Sequence, residues 1–113
     1  MKGKPLLPTL RTKKRYVVYE YISDKDIKHN NIVKAVEDSY KECFGSFGLG
    51  EAGLMDTRIF NKKRGILKVN HKYMDKLRVS LSMIKDIDDN KLTLHTVGVS
   101  GILKKAKSKY MEG

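Results

Sequence analysis

The order in which hydrophobic periodicity changes along this chain constrains its fold more than any other feature. Arg15 to Ile22 is aromatic and β-branched and reads as a strand. Alternation puts Val17, Tyr19 and Tyr21 on one face and Tyr16, Val18, Glu20 and Ile22 on the other. Asn30 or Asn31 caps a helix to about Phe44, with Ile32, Val33, Val36, Tyr40, Cys43 and Phe44 at helical spacing. Gly45 stops it, and Gly48 to Gly53 reads as a loop. Leu54 to Phe60 is a strand, Asn61 to Gly65 a basic hairpin turn, and Ile66 to Asn70 the returning strand. A second helix opens at Asn70 or His71, with Tyr73, Met74, Leu77, Leu81 and Ile84 facing the core. Asp86 to Asn90 turns the chain into a last strand, Leu92 to Val97, and Ser100 caps a short basic helix ending near Tyr110.

Strand, helix, strand, strand, helix, strand is a split βαβ order. Right-handed crossovers then predict an α+β fold, a ferredoxin-like or RRM-like sandwich. Its four-stranded antiparallel sheet carries two helices on one face, and a short C-terminal helix follows. A chain of 113 residues suffices for one domain. We expect a basic extended arm over residues 1–14, where Pro5 and Pro8 oppose helix, and a single α/β RNA-binding domain over residues 15–113. No apolar run approaches the ~20 residues that span a bilayer. The N-terminus lacks the apolar stretch of a secretory signal, so no membrane association and a cytoplasmic location are expected.

Charge points to the partner. The formal net charge is +11. Such an excess repels itself in a folded chain unless a polyanion receives it. Nucleic acid is the first candidate and an anionic membrane the second. The cations form three blocks. Lys2, Lys4, Arg11, Lys13, Lys14 and Arg15 precede any acidic residue. Lys62, Lys63, Arg64, Lys68, Lys72, Lys76, Arg78 and Lys85 make the second block, and Lys104, Lys105, Lys107 and Lys109 the third. Glu37, Asp38 and Glu42 lie between, on the first helix, a surface suited to a protein partner.

The motif tests exclude more than they assign. Arg64-Gly65-Ile66-Leu67-Lys68-Val69 begins like an RRM stacking strand, but Ile66 and Lys68 stand where its aromatics belong. Without flat rings the sheet does not read single-stranded bases, which leaves phosphate and shape recognition. The glycines from Gly48 to Gly53 do not match a nucleotide-binding fingerprint. His29, His71 and His95 fall on separate elements, so no acid–base pair and no catalytic residue is assigned. Asp86, Asp88 and Asp89 lack calcium-loop spacing and are read as turn residues, so no metal site or bound cofactor is expected. Cys43 is the single cysteine and is read as a buried thiol. The expected RNA-backbone contacts, chosen by density in the basic blocks, are Lys13, Lys14, Arg15, Arg64, Lys68, Lys104 and Lys105.

Three motifs in order carry a family resemblance: Pro8-Thr9-Leu10-Arg11 with Lys13-Lys14-Arg15-Tyr16; Arg64-Gly65-Ile66-Leu67-Lys68-Val69-Asn70 with Tyr73 and Arg78-x-x-Leu81; and Val97-Gly98-Val99-Ser100-Gly101 with Lys104. Together they resemble the archaeal ribonuclease P protein component 2 family across nearly the whole chain. The compact turn from Asn61 to Arg64, and Ile102 in place of a small hydroxyl residue, depart from its pattern. The resemblance implies the same sandwich fold. It also implies a non-catalytic subunit of the ribonucleoprotein that removes the 5′ leader of precursor tRNA, with hydrolysis carried by the RNA and its bound Mg²⁺. The implied partners are the ribonuclease P RNA, ribonuclease P protein component 3, other protein subunits, and a second copy in a two-plus-two assembly. Precursor tRNA would be met through the holoenzyme. Other readings of the same residues are a structured-RNA binder of ribosome assembly and a ligand-binding regulatory domain of the same topology.

Overall fold

The computed structural model describes residues 13–111. Most of the expected arm over residues 1–14 therefore lies outside the described residues. Strand β1 runs Lys14–Ser23 and helix α1 His29–Ala52. Strands β2, Met55–Asn61, and β3, Arg64–Asn70, form a hairpin. A 3₁₀ turn, His71–Tyr73, leads into α2, Met74–Ser82. A two-residue strand β4, Asp86–Ile87, turns back into β5, Asn90–Ser100. Helix α3, Leu103–Ala106, continues as a π-type turn, Lys107–Met111.

All strand pairs are antiparallel, and the sheet has five strands in the order β2-β3-β1-β5-β4. The four-stranded expectation missed β4. Asp88 and Asp89 both take positive φ, 53° and 66°, which allows a two-residue turn to close the β4–β5 hairpin. A segment read only as a turn thus contributes an edge strand.

The alternation read along β1 matches its burial. Val17, Tyr19 and Tyr21 join the main core with Ile32, Val36 and Tyr40 of α1, Leu67 and Val69 of β3, and Leu77 and Leu81 of α2. Val18 faces the other way and packs with Ile66, Ala106 and Met111, bordered by Tyr16, Ile59, Val97, Leu103 and Tyr110. Both faces of the sheet are therefore covered, one by α1 and α2 and the other by α3 and its turn.

Several local expectations fail. Gly45 does not end α1; it takes φ 83° and ψ 163°, kinks the helix, and helical geometry resumes through Ala52. The true stop is Gly53 at φ 61°, whose N–H bonds to Gly50 O, so the segment read as a glycine loop is mostly helix. Neither Asn30 nor Asn31 caps α1: the helix starts at His29 and has no side-chain cap. Cys43 is exposed rather than buried, although its neighbour Phe44 packs against the core. Ser100 caps no helix either; its hydroxyl accepts the Ile102 N–H at 3.1 Å in a local turn.

Candidate nucleic-acid interface

Register decides which of the expected RNA contacts meet. Lys14 pairs with Asn70, Arg15 with Val69, and Tyr16 with both Lys68 and Ser100. Lys13, Lys14, Arg15 and Lys68 therefore gather at one end of the sheet. A Cβ on Gly101 would lie 3.3 Å from Arg15 Nη1, so the approach to α3 begins beside that end. Lys104 and Lys105 follow on α3, both exposed. Two of these cations also serve the fold: Lys14 donates to Asn70 Oδ1, and Arg15 Nη1 to Lys14 O at 3.0 Å.

Arg64 stands apart, at the opposite end of β3. Its Nε donates to Glu20 Oε2 at 3.0 Å and its Nη1 to Tyr110 O at 2.7 Å. Glu20 also takes His95 Nε2 at 3.2 Å, so one carboxylate joins three strands and Arg64 ties the C-terminal turn to the sheet. The rest of the second basic block disperses. Lys63 donates to Ser23 O at 2.8 Å and lies over the Tyr21 ring. Lys76 sits over Phe44 and Tyr73 in the helical layer.

A buried polar chain at the hairpin escaped the sequence reading. The Tyr19 hydroxyl lies 2.8 Å from His29 Nδ1, and His29 Nε2 lies 2.9 Å from Asp56 Oδ1. A bulge in β2 aims that carboxylate: the register shifts between Asp56 and Phe60, Arg58 takes φ 63°, and its N–H also bonds to Asp56 Oδ1 at 2.8 Å. Burial, then the Asp56 charge and Tyr21, push the Tyr19 phenol well above its ordinary value. Phe60 stacks on the His29 ring at 4.2 Å between centroids and closes it from solvent. A phenol held neutral there braces the hairpin against α1. Gly65 makes room for it: a Cβ there would lie 2.3 Å from the Tyr19 hydroxyl oxygen. Its counterpart on the other face is Gly98, where a Cβ would lie 2.0 Å from the Tyr110 ring. Separations of ten and twenty-seven residues between the partners leave no local pattern from which the chain could be found.

The pattern of the Rpp14/Pop5 family matches residues 15–111. The chain belongs to that family. Curated relatives named Ribonuclease P protein component 2 bracket the match. The Thermococcus kodakarensis protein is 34% identical over 97% of this chain and 92% of its own length. The Methanosarcina mazei protein is 35% identical over 96% and 93%, and the Archaeoglobus fulgidus protein 32% over 99% and 99%. A chain in the cryo-EM structure of yeast Ribonuclease MRP shares the fold of this Rpp14/Pop5 member, with a TM-score of 0.65, 19% identity, and coverage of 80% of this chain and 76% of that one. The motif glycines Gly65 and Gly98 thus have physical roles in this family member: each leaves room for a tyrosine that fastens one face of the sheet. No described helix is long and apolar enough to cross a membrane.

Proposed function

We propose that this chain is a protein subunit of ribonuclease P, acting in removal of the 5′ leader of precursor tRNA, and that it braces the catalytic RNA without cutting it. The near full-length kinship with proteins named Ribonuclease P protein component 2 carries this reading. The net charge of +11 and the clustering of Lys13, Lys14, Arg15 and Lys68 at one sheet end support it. A folded RNA crowds phosphates together. Side-chain cations held on a rigid sheet offset that repulsion and position the backbone. Lys104 and Lys105 extend the same surface along α3, while Arg64, committed to Glu20 and Tyr110, contributes through its remaining N–H groups.

The finer parts of the reading go with it. The order β2-β3-β1-β5 of the four long strands suits a ferredoxin-like or RRM-like sandwich with one added edge strand. Ribonuclease P protein component 3 is the expected protein partner, self-association gives the two-plus-two assembly, Mg²⁺ resides on the RNA, and the complex works in the cytoplasm. Reconstitution tests the reading. With component 3 and the ribonuclease P RNA at limiting magnesium, adding this chain should restore leader cleavage, while the chain alone should cut nothing. Charge reversal at Lys13, Lys14 and Arg15 should lower RNA affinity and shrink the log–log salt slope by roughly 0.7 to 0.9 for each phosphate no longer neutralised. Cleavage indifferent to the chain under every ionic condition would refute the proposal.

A further inference from the structure

The β2–β3 hairpin tip, the first turn of α1 and the C-terminal turn enclose an open cleft of about 1200 Å³. Of the seven cations chosen from the sequence, only Arg64 lines it. Its rim is nevertheless basic: Lys28, Lys62, Lys63 and Arg64 face it against Glu20 and Asp26. Glu20 is already shared between Arg64 and His95, and Lys63 is tied back to Ser23. Lys28 and Lys62, both exposed, are the lining cations without a bonded partner among the described residues.

Phe60 supplies the second component. It lines the cleft with one face on the buried, hydrogen-bonded His29 and remains 55% exposed. A ring clamped from behind loses little freedom when something stacks on it. An exposed phenylalanine beside two exposed cations suits a ligand with a flat apolar face and an anionic edge. Duplex RNA shows its phosphates but hides its base faces, whereas an unpaired nucleotide presents both. Asn30 and Asn61 add amide groups to the wall that a base edge can use.

We propose that this cleft receives one unpaired RNA nucleotide, its base stacked against Phe60 and its phosphate held by Lys28 and Lys62. The inference rests on the RNA-binding reading and deepens it: phosphate contacts at the Lys14 end of the sheet position the RNA, and the cleft at the Arg64 end grips a single base. Stacking on phenylalanine tolerates any base, so the site selects an unpaired position over a sequence.

The test is an NMR titration of the full chain with uridine 5′-monophosphate, uridine and inorganic phosphate in parallel, alongside binding of ribonuclease P RNA. The nucleotide should shift Phe60, Lys62 and Asn30. Phe60→Leu, which keeps an apolar cover on His29, should weaken it roughly five- to hundredfold. The double variant Lys28→Gln with Lys62→Gln should weaken the nucleotide far more than uridine. If Phe60→Leu unfolds the chain, the Lys28 and Lys62 variant and the shift pattern in the unaltered protein decide the matter. Equal shifts from inorganic phosphate, with no dependence on the ring, would reduce the site to an anion patch and overturn the inference. Silence at the cleft with all three probes would overturn it too. If the RNA still binds tightly in either case, only this inference falls; if the unaltered chain does not bind the RNA, the functional reading falls with it.

Discussion

Leu67 and Ile66 are neighbours in β3, both essentially inaccessible, yet they face different interiors. Leu67 joins a core of sixteen buried residues among those described, drawn from the sheet, α1, α2 and the segments beside them. Ile66 joins a cluster of four, Val18, Ile66, Ala106 and Met111, beneath nine residues of helix and turn. The first face is closed by interlocked apolar side chains. The second is closed by a short lid fastened at few points: the Tyr110 ring over Gly98, Arg64 to Tyr110 O, and Asn61 to Met111 O at 3.5 Å. Unequal closure means unequal stability, so the lid should open locally while the rest stays folded. In an RRM the equivalent sheet face is left open for bases; here it is occupied by the C-terminal helix and turn.

Truncating the two neighbours should separate the two faces most clearly. Leu67→Ala should cost about 2–5 kcal/mol of global stability in urea denaturation. Ile66→Ala should cost less than that, and amide exchange should rise chiefly over Leu103 to Met111. Equal global losses would make the two faces one cooperative unit. Next come the two glycines. Gly65→Ala drives a methyl group into the Tyr19 hydroxyl, which is locked to His29, and should destabilise by about 1–3 kcal/mol. Gly98→Ala makes an approach just as close, but Tyr110 belongs to the lid and can lift, so the main effect should be faster exchange of the C-terminal turn.

Tyr19→Phe probes the polar chain. It leaves His29 Nδ1 without its partner and should cost about 1–2 kcal/mol at neutral pH. It should also change the alkaline limb of the stability curve. The folded chain holds the Tyr19 phenol above its ordinary value of 10.0, so the folded state keeps a proton that the unfolded state releases. Stability from this group is complete below pH 10.0 and is lost as pH rises above it; the variant should show a shallower decline above pH 10.0. The smallest effect is expected at Tyr40. It is fully buried, and its hydroxyl finds no partner among the described residues. Tyr40→Phe should therefore change stability by less than about 1 kcal/mol, in either direction, in the same denaturation assay.

Legibility in the sequence followed the range of the interactions concerned. The two faces of β1 and the core stripe of α2 were readable because their periods are local. The end of α1 was misread because Gly45 and Gly53 send the same local signal, and only packing makes one a kink and the other a cap. Cys43 lies on the apolar stripe by spacing but not by burial, since exposure depends on which element lies alongside. The second basic block looked continuous yet disperses: Lys62 and Arg64 to the cleft, Lys68 to the sheet end, Lys76 onto aromatic rings of the helical layer.

By itself the sequence determined the α+β class, the order of the long elements, the two faces of β1, the cationic character, and, through its motifs, the family. Tertiary structure alone decided that Tyr19, His29 and Asp56 form one buried chain, that the C-terminal turn closes the second face, and that Phe60 meets Lys28 and Lys62 across a cleft. Strand and helix periods are properties of neighbouring residues, whereas those meetings depend on register between segments tens of residues apart, set by the packing of the whole.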